Sequence, residues 1–220
     1  MPKRRLREIR EIYDRLFAFF GPQYWWPGET PFEIMVGAVL TQNTAWTNVE
    51  KAIVNLKDRG LLTFEGLVAL PCDVLADLIR PCGYFNVKAR RLHNLFALIR
   101  DRYQGDLDLF ALDELSVLRQ ALLEVKGIGP ETADSILLYA ANKPIFVVDA
   151  YTHRLLSRHG LAAEEGADYD EMQELLMASL ANEPGLFNEY HALIVRTGKE
   201  FCKKTNPRCG ECPLAIMRQT

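Results

Sequence analysis

The chain lacks any apolar run of the roughly 18 residues that a bilayer crossing needs. It also lacks the marks of a secretory signal. The N-terminal stretch "MPKRRLREIREIYDRLFAFF" is basic, but acids interrupt it and helical spacing runs through it. These absences predict a cytoplasmic protein with no membrane partner. There is no low-complexity tract, no fixed-period repeat and no alternation of strand and helix patterns, which argues against a parallel sheet. A strong charge of one sign is missing too: 26 Lys and Arg stand against 29 Asp and Glu, a net charge of −3. That balance speaks against nucleic-acid binding only if the basic residues are dispersed, because phosphate contact is local. They cluster in "KRRLREIR", "KARRLHNLFALIRDR" and "RTGKEFCKKTNPR". Each cluster taken singly reads as a solvated helix face. Cysteine is scarce, with five in 220 residues. Cys72 and Cys82 stand apart and read as packing residues. Cys202, Cys209 and Cys212 fall close together, and in a reducing compartment that suggests metal more than disulfide.

What is present is helical spacing. "REIREIYDRLFAFF", "PFEIMVGAVLTQ", "WTNVEKAIVNLKDRG", "VKARRLHNLFALIRDRY", "ELSVLRQALLEV" and "DYDEMQELLMASLA" repeat apolar residues every three or four positions. Gly, Pro, Asn and Asp punctuate the joins. The β-branched "PIFVVDAY" reads as an extended entry into another helix. The expected fold is all-α, about ten helices in two lobes with a cleft between them. Residues 1–28 and 128–220 would form one lobe, with the cysteine loop at 202–212. Residues 29–127 would form the other.

Between the apolar helices "LRQALLEV" and "TADSILLYAA" stands the corner "KGIGP", Lys126 to Pro130. Glycine permits backbone angles that side chains forbid and lets another backbone approach. The amides then face outward at the start of the next helix, where an anion is favoured. Ile128 is expected to pack inward. This is a helix–hairpin–helix pattern suited to a nucleic-acid phosphate, although a plain interhelical turn would use glycine as well. Twenty residues beyond Gly129, Asp149 follows the apolar "IFVV". It can cap the helix "AYTHRLLSRHG". It can also steady an oxocarbenium-like sugar or activate water. The two roles are compatible.

The stretch "VKGIGPETADSILLYAANKPIFVVDAYTHR" resembles the signature of the endonuclease III superfamily of DNA glycosylases. "GAVLTQNTAWTNV" and "CGYFNVKARRLHNL" resemble two further segments of it. The resemblance implies the helix–hairpin–helix glycosylase fold and a role in base excision repair. It implies Asp149 as the catalytic aspartate and Gln42 as the residue pushed into the gap left by a flipped nucleotide. Lys126, Gly127, Ile128, Gly129 and Glu131 would lie on the DNA. Strand-cutting members carry a lysine two residues after the second hairpin glycine. Here that position is Glu131, which cannot form an imine. The implied enzyme releases the base and leaves an abasic site.

"YWWPGETPFE" followed by "GAVLTQNT" is similar to the 3-methyladenine-specific branch. By that resemblance Trp25, Trp26, Pro27 and Trp46 belong to a base pocket, where an alkylated, positively charged adenine would gain cation–π energy of roughly 1–2 kcal/mol. Without it, Trp25 and Trp26 read as core anchors. The spacing of Cys202, Cys209 and Cys212 matches the first three ligands of the superfamily's 4Fe–4S loop, but the fourth position is Arg218. The readings are a cluster with a non-cysteine fourth ligand or water, a degenerate and empty site, or zinc with an open position. The expected partner is double-stranded DNA with damaged bases, engaged by a monomer. The expected function is hydrolysis of the N-glycosidic bond of alkylated purines. The alternatives are another lesion, such as an oxidised pyrimidine or a mismatch, or a non-catalytic DNA-binding protein.

Overall fold

Apolar spacing of three and four residues becomes helix throughout the computed structural model, which describes residues 3–217. Twelve α-helices occur among them: α1 Lys3–Phe20, α2 Pro31–Leu40, α3 Trp46–Lys57, α4 Phe64–Val68, α5 Cys72–Leu78, α6 Phe85–Tyr103, α7 Leu107–Leu112, α8 Leu115–Glu124, α9 Pro130–Ser135, α10 Ala150–Arg158, α11 Tyr169–Ser179 and α12 Pro184–Glu200. Among the described residues there is no strand, and "PIFVV" runs extended into α10. Local chemistry sets several boundaries. Thr30 caps α2, its Oγ1 accepting from the Glu33 amide at 3.1 Å. Asp168 caps α11 through the Glu171 amide at 3.0 Å.

The chain divides into two compact units. Trp26–Lys143 forms one of them. At its centre lies α2, "PFEIMVGAVL", buried on nearly every side, as a helix apolar all round must be. Around it pack α6, α3, α9 and a π-helical turn at Ile136–Ala140 that continues α9. The chain leaves this unit after Lys143 rather than at the 127/128 boundary expected from the sequence, because α9 and the π-helical turn lie against α2.

The described residues up to Trp25 and from Pro144 onward form the other unit. On α1, Ile9, Ile12 and Leu16 are fully buried at helical spacing. Tyr190 on α12 donates its hydroxyl to the Ile9 carbonyl at 2.9 Å, which satisfies a polar group in that core. No helix among the described residues is long and apolar enough to cross a membrane.

Candidate active site

The hairpin forms between α8 and α9. Ile128 is buried, while Lys126, Gly127 and Gly129 are exposed. Gly127 holds φ +99°, and a Cβ there would come within 2.5 Å of Arg91 Cγ, so no side chain fits. Asn94 donates to the Lys126 carbonyl at 2.9 Å and fixes the corner from α6. Gln42, in the turn after α2, is brought onto the same corner. Its Nε2 donates to the Gly127 carbonyl at 3.1 Å and to Thr132 Oγ1 at 2.9 Å, and its Oε1 accepts from Arg91 Nη1. Glu131 is exposed in the first turn of α9.

Two residues that the sequence reading passed over hold this turn. Arg91 covers Gly127 and orients Gln42. Lys88 is 1% exposed, and its ammonium donates to the carbonyls of Leu40 and Cys82 at 2.8 Å each and to Thr44 Oγ1. Burial pushes its pKa below the ordinary lysine value, with the Arg91 charge acting in the same direction. Lys88 is therefore not part of a solvated face, as its cluster suggested. It ties the end of α2, the 41–44 turn and the segment before α6 to one point. Cys82 is buried beside it, as a packing cysteine should be.

Asp149 is the N-cap of α10. Its Oδ1 accepts from the Thr152 amide at 2.7 Å and from the Thr152 hydroxyl at 3.0 Å. Its Oδ2 stands 3.6 Å from Nε2 of His191 on α12. The side chain is 13% exposed, so it is neither sealed nor free in solvent. Burial alone would raise its pKa. The His191 interaction and the two Thr152 bonds outweigh that and hold the carboxyl below its ordinary value. The result is an ionised carboxylate kept in place by a helix start. Gly198 makes the approach of α10 to α12 possible, since a Cβ there would lie 2.2 Å from Tyr151 Cδ1. His191 carries no sequence signal: it is one histidine in an amphipathic helix.

Trp26, Pro27 and Trp46 line one cavity of about 120 Å³ together with Glu33, Gly37, Glu50 and Lys57. An engineered apolar cavity of about 150 Å³ accepts benzene, so this space suits part of a planar ring. The Trp26 and Trp46 rings meet edge to face at 5.3 Å and 87°. Tyr139, turned inward by the π-helical turn, lies 4.9 Å from Trp26. Trp46 Nε1 donates to Glu50 Oε1 at 2.7 Å. Glu33 pairs with the Lys57 ammonium at 3.0 Å. Trp25 is not among the lining residues; the Lys199 ammonium sits 5.7 Å from its ring centroid.

Cys202, Cys209 and Cys212 line a second cavity with His159, Arg158, Phe201 and Leu214. Arg158 Nη1 donates to Cys202 Sγ at 3.2 Å, and Arg154 Nε donates to the Cys202 carbonyl at 2.7 Å. Among the described residues no three His, Cys, Asp or Glu side chains converge as a single metal ion requires. That geometry gives the zinc reading no support. The three cysteines and His159 share this one cavity, and all four are of the kinds that ligate iron or zinc. Arg218 lies outside the described residues.

Comparison with known proteins gives the family. The profile of the HhH-GPD superfamily base excision DNA repair proteins matches residues 36–182. A protein of Methanocaldococcus jannaschii, provisionally named a DNA repair glycosylase, is 45% identical over 97% of each chain. The fold is similar to that of an H. pylori 3-methyladenine DNA glycosylase bound to 1,N6-ethenoadenine, with a TM-score of 0.73 and 32% identity over 89% of this chain and 95% of that one. It is also similar to endonuclease III in a non-covalent DNA complex, with a TM-score of 0.82 and 25% identity over 97% and 95% of the two chains. With its hairpin, its capped aspartate and a family match across most of its length, this chain belongs to the HhH-GPD superfamily of base excision DNA repair proteins.

Proposed function

We propose that the protein is a monofunctional DNA glycosylase that hydrolyses the N-glycosidic bond of alkylated purines such as 3-methyladenine, acting as a monomer on double-stranded DNA. The observation that carries the substrate class is the cavity of Trp26 and Trp46 with two carboxylates on its wall. The similar H. pylori enzyme is named for 3-methyladenine. Indole faces favour a cationic base, and a carboxylate-bearing wall does not penalise it.

Each site residue then has a chemical task. The amides of Gly127 and Gly129 take a backbone phosphate, while the Ile128 amide donates to the Val125 carbonyl at 3.0 Å. Gln42 fills the gap when the nucleotide leaves the stack. The ionised Asp149 stabilises the developing sugar cation and orients water. An N3-alkylated adenine departs as a neutral base, so no strong general acid is required. Glu131 cannot form an imine with the sugar, which supports base release without strand cutting.

A 4Fe–4S cluster would be held by Cys202, Cys209 and Cys212, with His159 as the fourth donor. It would brace the basic 202–212 loop and take no part in hydrolysis. Iron and sulfide analysis of anaerobically purified protein, with His159→Ala beside it, tests that assignment.

The deciding experiment for the function is a panel of duplexes, each carrying one lesion, scored for free base and for strand breaks. Release of 3-methyladenine with an intact abasic strand is expected. Release of an oxidised pyrimidine or a mismatched base instead, or binding without release, overturns the reading. Borohydride added during turnover is expected to trap no covalent adduct. An adduct would reveal a lysine nucleophile and end the monofunctional assignment.

A further inference from the structure

Two carboxylates line the Trp26–Trp46 cavity, and their surroundings differ. Glu33 is 7% exposed and its charge is matched by Lys57 Nζ at 3.0 Å. Lys57 also meets Glu29 at 3.0 Å, so its single positive charge is shared between two acids. Glu50 is exposed, and its Oε1 accepts from the neutral indole N–H of Trp46 at 2.7 Å. That bond fixes Trp46, and among the described residues no cation pairs with the carboxylate. The cavity wall therefore carries net negative charge beside two π faces, and Glu50 is its exposed contributor.

We propose that Glu50 is a substrate-binding residue, which favours positively charged purines over neutral ones in the ground-state complex through the charge it places on the cavity wall. This rests on the base-pocket reading above and adds to it a direction of action. In the substrate the positive charge resides on the alkylated base. As the bond between the base nitrogen and C1′ breaks, its electron pair moves onto the base. The base becomes neutral and the charge passes to the sugar, where water attacks and gives up a proton. Attraction between Glu50 and the base is thus strongest in the ground state and fades towards the transition state. A group acting in this way lowers KM without raising kcat. It also weakens as salt rises, because the carboxylate is exposed.

Glu50→Gln isolates the charge, since the amide oxygen can still accept from Trp46 Nε1. Glu50→Leu removes both the charge and the bond. Two measurements on the full chain decide the matter. First, KM and kcat for 3-methyladenine and 1,N6-ethenoadenine duplexes are compared in wild type and Glu50→Gln. The preference for the cationic lesion in KM is expected to fall about three- to ten-fold at low salt and less at high salt, with no loss in kcat for that lesion. Second, tryptophan fluorescence reports binding of the N3,N9-dimethylated adenine cation and of neutral 9-methyl-1,N6-ethenoadenine, with no reaction required. The cation is expected to bind Glu50→Gln more weakly by a similar factor. If Glu50→Gln binds the cation as well as wild type does, or loses both ligands equally, the proposal is overturned. If wild type releases no alkylated purine yet shows the charge-dependent binding, the assigned reaction fails while the role of Glu50 stands.

Discussion

At the scale of single residues, one substitution separates the helix cap at Asp149 from the catalytic role proposed for it. Asparagine caps helices about as well as aspartate, so Asp149→Asn keeps the Thr152 bond and removes the charge. The substitution is expected to lose only the stability that the ionised carboxylate gains from His191, while single-turnover base release falls by roughly 10²–10⁴-fold. Asp149→Ala removes the cap as well and is expected to cost a further ~1 kcal/mol in urea unfolding. Because the folded carboxyl titrates below its ordinary value, the unfolded chain takes up its proton first as pH falls. The stability from this group is complete above the unfolded pKa of about 4 and disappears as pH drops through the lower folded value. The acid limb of kcat/KM should therefore lie below about pH 4, and His191→Phe should move it upward. Asp149 was readable in the sequence from its place after an apolar run and before a helix. His191 was not, because only folding brings α12 to that carboxylate.

At the scale of elements, two close approaches position the functional groups. Gly198 on α12 lets the Tyr151 ring of α10 lie against α12. Gly198→Ala would drive a methyl group into an aromatic ring and is expected to lower stability by roughly 1–3 kcal/mol, with reduced kcat as Asp149 shifts from His191. Chemical denaturation and steady-state kinetics on the same preparation test both effects. Lys88 closes the second approach. Lys88→Met leaves the Leu40 and Cys82 carbonyls without their ammonium partner and is expected to cost about 2–5 kcal/mol. A smaller loss accompanied by weaker DNA binding would show that the 41–44 turn moves independently of the core. The helices themselves were legible wherever periodicity was long, as in α1, α2, α3, α6, α8 and α11. The short α4 and α5 gave no such signal, since five and seven residues span barely two turns. The π-helical turn was equally silent, because one extra residue in a single turn leaves no mark on the apolar spacing.

At the scale of the whole molecule, the family match over residues 36–182 contains both the hairpin and the capped acid. Sequence by itself determined the all-α class, the glycine corner, the candidate acid, the absence of the lysine at Glu131 and the missing fourth cysteine. These are local matters: a glycine where a side chain cannot fit, a cap before a helix, a spacing of thiols. Tertiary structure alone decided that Glu50 holds Trp46, that Arg91 covers Gly127, that Lys88 is buried and that His159 shares a cavity with the three cysteines. Those relations join residues through packing, and packing is fixed by how apolar faces fill space together, which no single stretch of sequence encodes.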